Sequence, residues 1–238
     1  MSMATKIRII GARRAYEFRQ DDLRLSYLAQ PSVIDRMKQV FAFQEANVDR
    51  PMPTFGPIPP TLPPGVVFDF GSCELEAGVR VPIRFIHFEA RRIVIDVAGP
   101  TAVIGPVYER LRAVLREDVM PDGSSVLPDH ASIREYSELT VQLPPSVDRL
   151  FNRGLMEIVR DVLDAGEPGQ NTFIAPAIQF RVQQFDREFP RAVDTHAMLR
   201  IEPRAGARPA DNDYFSAAPL STDRHAEVLA NLAELIAS

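Results

Sequence analysis

The sequence predicts an α+β protein in which helices pack on one face of a mostly antiparallel sheet. Three observations carry this. Apolar and polar residues alternate over several short segments, the period of a half-buried strand. Other segments repeat apolar residues at helical spacing. Strands over 66–98 precede a helix over 106–117, and strands over 172–217 precede a helix over 223–236. This is a pseudo-repeat of topology, strand-strand-strand-helix, without a repeat of residues. A doubly wound parallel sheet needs regular β-α-β alternation, which is missing.

The 238 residues divide into an N-terminal strand and helix over 1–50, a proline-rich connector over 51–64 and a main α+β body over 65–238, with halves at 65–120 and 133–238. In the first part, Ile7 and Ile9 alternate with Lys6 and Arg8, and Tyr16 and Phe18 carry the strand on beyond Gly11, giving a strand over 6–18. Val33, Ile34, Met37, Val40 and Phe41 share a helix face over 32–46, with Ser32 as the expected cap. The connector holds seven prolines in fourteen residues. Proline lacks the N–H and fixes φ, so this run neither pairs in a sheet nor continues a helix.

In the body, Val66 to Glu76 reads as a strand. Val79 to Glu89 and Arg92 to Ala98 read as a hairpin turning at Ala90 and Arg91. That register sets Glu89 opposite Arg92, Phe88 opposite Ile93 and Ile86 opposite Ile95, the pairings that sheets prefer. The other face carries Phe85, His87, Val94 and Asp96. It is too apolar to stand in water, so part of it is expected to be covered. Pro106 opens a helix with the stripe Val107, Tyr108, Leu111, Val114 and Leu115. A loop follows over 118–132, then a strand with Leu139, Val141 and Leu143 inward. The strongest helical pattern is Val147, Leu150, Phe151, Leu155, Ile158, Val159, Val162 and Leu163, capped by Ser146 and ended by Gly166. A second hairpin pairs Gln179 with Arg200 and Gln183 with His196, with Ile178, Phe180, Val182, Ala197, Leu199 and Ile201 toward the core. Thr222 caps a last helix that buries Leu229, Leu232 and Ile236.

Composition bounds the function. Apolar residues make up 45% and charged residues 25%, values of a folded chain and not of a disordered one. The net charge of -5 argues against nucleic acid and anionic membranes as partners. Of 27 basic residues only Lys6 and Lys38 are lysines, the coding bias of a G+C-rich bacterial genome. One cysteine, Cys73, fits a reducing compartment, and no stretch approaches the ~18 apolar residues of a membrane span, so the expected location is cytoplasmic.

Motifs add little. The chain has no Gly-rich phosphate loop, no G-x-S-x-G elbow, no kinase signature and no Cys or His pair at metal-ligand spacing. No cofactor is expected. His87 and His196 read as half-exposed strand residues and His225 as part of a polar cluster at a helix start. Cys73 reads as a small buried filler. Asp211, Asn212 and Asp213 lack the rest of a calcium loop and read as a polar turn.

One constellation stands out. Gln179, Arg181, Gln183, His196 and Arg200 project from one face of the second hairpin, donors suited to carboxylate or phosphate partners. The resulting expectation is a non-catalytic bacterial binding or assembly module. Its partner would be a protein, another copy of itself or an anionic ligand. The alternatives are an enzyme, such as a hydrolase, with a dispersed site built from Asp129, His130 and Cys73, and a single-stranded nucleic-acid binder. The last needs exposed aromatics beside basic residues.

Overall fold

The computed structural model describes residues 6–18, 23–48, 65–75, 78–116, 126–127, 131–143, 150, 177–181, 198–208 and 211–237. The connector over 51–64, the pair Asp129 and His130, Gln183, His196 and the helix expected over 146–165, apart from Leu150, lie outside them.

Nine strands form one antiparallel sheet: β1 (Lys6–Glu17), β2 (Glu45–Val48), β3 (Val66–Glu74), β4 (Arg80–Glu89), β5 (Arg92–Val97), β6 (Ser132–Gln142), β7 (Ile178–Arg181), β8 (Met198–Pro203) and β9 (Asp213–Ala218). Their hydrogen-bonded order is β2-β3-β4-β5-β1-β6-β9-β8-β7. The described helices are α1 (Leu25–Leu28), α2 (Pro31–Phe41), α3 (Ile104–Arg116) and α4 (Thr222–Ala237). Among the described residues no helix is long and apolar enough to cross a membrane. The chain divides into two compact units, one of Gly11–Ser137 and one of Met1–Ile10 with Glu138–Ser238. Each has its own apolar cluster.

In the Gly11–Ser137 unit, β4 and β5 pair as Glu89↔Arg92, Phe88↔Ile93 and Ile86↔Ile95, the register expected from the alternation. Phe68 of β3 pairs with Ile86 and Val66 with Phe88, which extends the apolar face by one strand. α2 lays Val33, Met37 and Phe41 into the same cluster, and α3 adds Val107, Tyr108, Leu111 and Leu115. The α2 start differs from expectation. Gln30 occupies the cap position without a side-chain bond, and Pro31 takes the first helical place, where its missing N–H costs nothing. Ser32 is therefore inside the helix. The helix stops at Phe41 because Ala42 turns left-handed, at φ 50°. The chain then re-enters the sheet as β2, which the helical pattern concealed. Gly71 lets this corner close: a Cβ there would lie 2.4 Å from the Phe43 ring.

In the other unit, Leu139, Val141 and Leu143 pack with Ile201, Tyr214, Leu229, Ala233 and Ile236. β7 and β8 pair Gln179 with Arg200, again in the expected register. Phe180 departs from expectation and is 56% exposed, although its partner Leu199 packs on the cluster. Among the described strands Phe180 lies on an end strand, with a described neighbour on one side only. The cap of α4 is Ser221, whose Oγ accepts the Arg224 N–H at 3.4 Å, and Thr222 is already helical.

Candidate functional site

In the Gly11–Ser137 unit a charged side chain sits where the strand pattern calls for an apolar one. β1 pairs with β5 as Ala12↔Val97, Arg14↔Ile95 and Tyr16↔Ile93. Side chains alternate across a strand, so Arg14 shares the core face with Ala12 and Tyr16. Hydrogen bonds hold it there. Nη2 donates to the Glu135 carboxylate and, at 3.3 Å, to the Thr101 carbonyl, and Nη1 lies 3.5 Å from the Tyr16 hydroxyl. Burial works against the charge, but the bonds to Tyr16 and Glu135 outweigh it and raise the Arg14 pKa. The Nε–H is buried and meets no acceptor among the described residues. A buried donor without an acceptor costs roughly 1–3 kcal/mol.

α3 brings the opposite wall. Gly105, Tyr108, Glu109 and Arg112 fall at spacings of three and four, which is one face of a helix. With Arg14, Tyr16, Ala131 and Ile133 they line an open groove of about 330 Å³. The Tyr16 and Tyr108 rings stack at 3.7 Å between centroids and 11° between planes, forming a rigid aromatic floor. Burial raises the Tyr16 pKa, so the phenol stays protonated. Arg112 Nη1 lies 3.7 Å from Glu109 across one helical turn, an exposed pair of the kind worth ~0–1 kcal/mol. Ile133 is 56% exposed at the rim.

The opposite face of the same sheet is closed. Val67, His87, Glu89, Val94 and Asp96 are all buried. His87 was expected to be half exposed, but it is fully buried, with Glu89 buried beside it on the same strand face. Burial lowers its pKa; Glu89 works the other way, at 3.4 Å from Nδ1. Arg92 holds Glu89 with two hydrogen bonds of 2.8 and 3.1 Å, and Arg13 holds Asp96 with Nε and Nη2. The Arg13 guanidinium also lies over the rings of Phe85 and Tyr136. The two carboxylates are buried and each is held by an arginine, which is a structural arrangement and not an open site.

Among the described residues His225 and Cys73 are sealed as well. His225 is not in an exposed polar cluster. It is fully buried, with Nε2 2.8 Å from Ser216 Oγ, and burial lowers its pKa to about 4. Ser216 Oγ also lies 3.0 Å from the Arg200 carbonyl, so the serine hydroxyl has two hydrogen-bond partners, the carbonyl and the imidazole. Cys73 is buried as expected, and burial pushes its thiol pKa up, which makes it a poor nucleophile. Asp211 bonds Arg208 and Asp213 bonds Arg204, so these carboxylates hold a turn together.

Of the five residues singled out on the second hairpin, Gln179 and Arg200 are exposed and lie directly opposite each other. Arg200 forms an ion pair with Glu202. Arg181 is placed in β7 by its backbone, opposite Met198. Gln183 and His196 lie outside the described residues. The groove residues were not singled out from the sequence. Their one sequence signal is an arginine at a core parity between Ala12 and Tyr16. No protein-family model and no curated protein matches this chain.

Proposed function

We propose that this protein is a non-catalytic binding module that holds the anionic group of a ligand in the groove between β1, β6 and α3. The observation that carries the reading is Arg14, a guanidinium on the core face that lines the groove opposite Arg112. An oxyanion accepts from guanidinium groups that line a groove, and charge-assisted bonds are about twice as strong as neutral ones. Arg112 on the other wall adds a second positive charge. Against an enzyme stands the sealing of Ser216, His225 and Cys73, none of which a substrate reaches without local opening. In an amide-detected NMR titration, acetate or inorganic phosphate is expected to move the signals of Gly105 and Arg112. Arg14→Gln is expected to remove the response. Signals that stay in place with both anions would count against the reading.

The exposed Gln179 and Arg200 pair supports a second contact surface, for an acidic protein partner. The double variant Arg181→Glu with Arg200→Glu is expected to keep its melting temperature within a few degrees and to lose that partner. Retained capture of the same partner from the host lysate would remove the surface from consideration.

A further inference from the structure

We infer that the ligand of this groove is a small monocarboxylate with an apolar or aromatic body; the inference rests on the anion-binding reading above. Size comes first. A groove of about 330 Å³ sits at the lower end of the ~300–1,000 Å³ that ligand sites span. It admits a small molecule, not a protein element.

Charge decides between carboxylate and phosphate. Two guanidinium groups, Arg14 and Arg112, face two carboxylates, Glu109 on the wall and Glu135 on Arg14 itself. The surrounding formal charge is therefore balanced. A phosphomonoester carries about -1.5 to -2 charges at neutral pH and would set them beside both glutamates. A carboxylate brings one negative charge and two acceptor oxygens, which matches the two guanidinium groups lining the groove, Arg14 and Arg112. The remaining lining is apolar or aromatic: Ala131, Ile133 and the stacked rings of Tyr16 and Tyr108. A methyl carboxylate would leave that surface uncovered, whereas a phenyl or branched alkyl body covers it. The exposed Ile133 at the rim, beside the polar pair of α3, gives the groove one apolar lip and one charged lip.

Isothermal titration of the full chain with benzoate, phenyl phosphate and benzamide tests this. Benzoate is expected to bind, with phenyl phosphate and benzamide each weaker by about tenfold or more, the worth of one charge-assisted bond or one misplaced charge. Arg112→Gln, a surface substitution that leaves the core untouched, is expected to weaken benzoate about tenfold, and Ile133→Ser to weaken it through lost apolar contact. Tighter binding of phenyl phosphate than of benzoate would overturn the carboxylate assignment and leave the anion-binding reading standing. No binding by any of the three would overturn both. Equal benzoate affinity in wild type, Arg14→Gln and Arg112→Gln would place the acid elsewhere and overturn both as well.

Discussion

Acidification from pH 7 to pH 4 is expected to cost this fold roughly 3 kcal/mol through His225 alone. The imidazole is fully buried against Ser216, and its pKa falls to about 4 from the ordinary histidine value near 6.5. The unfolded chain therefore takes up a proton at a pH where the native chain does not. Its stabilising effect is fully present above pH 6.5 and is lost as pH falls toward 4. Below that the native imidazole is protonated too, and this contribution levels off. His87 shifts in the same direction, also by burial, and adds to the loss. Urea denaturation at pH 7 and pH 4.5 measures the effect, with His225→Gln as the control. The variant is expected to be less stable at pH 7 but to show a flatter dependence between the two values. An unchanged slope in the variant would assign the acid sensitivity to other groups.

Phe88→Ala is expected to destabilise the protein by ~3–5 kcal/mol, the range for a large aromatic removed from a core. Phe88 is fully buried, pairs with Val66 on one side and Ile93 on the other, and meets Phe68 edge-on at 6.0 Å. Val66, Ile93 and Phe68 all belong to strands, and a sheet cannot collapse into the void as a loop could. A loss below about 1 kcal/mol in chemical denaturation would mean that the Gly11–Ser137 cluster is packed otherwise. His87 gives the contrast one position away. It points to the opposite face, so a one-residue slip in register would exchange a phenyl ring for an imidazole in the core.

That register was legible in the sequence. Ile86, Phe88, Ile93 and Ile95 alternate strictly, and only one pairing keeps them on a common face with Glu89 beside Arg92. The same holds for Gln179 and Arg200, and for the α3 stripe of Val107, Tyr108, Leu111 and Leu115. These are local patterns: each strand or helix declares its buried side because burying that side is what stabilises it.

The groove was not legible in this way. In β1 the inward positions change parity between its two ends. Ile7 packs in one cluster, while Ala12 and Tyr16 pack in the other, and Ile9 is left 48% exposed. A reading that follows Ile7 and Ile9 puts Arg14 outward. Only the pairing of β1 with β5, about eighty residues away in sequence, turns Arg14 inward beside Glu135 and α3. His225 followed the same rule: a helix-start histidine became a core residue because β9 brought Ser216 to it. The sequence by itself determined the register of β4 with β5, the register of β7 with β8 and the buried stripe of α3, since these depend on spacing along the chain. The tertiary structure alone decided which charged and titratable groups lost their water, because desolvation depends on elements that meet in space from distant parts of the chain.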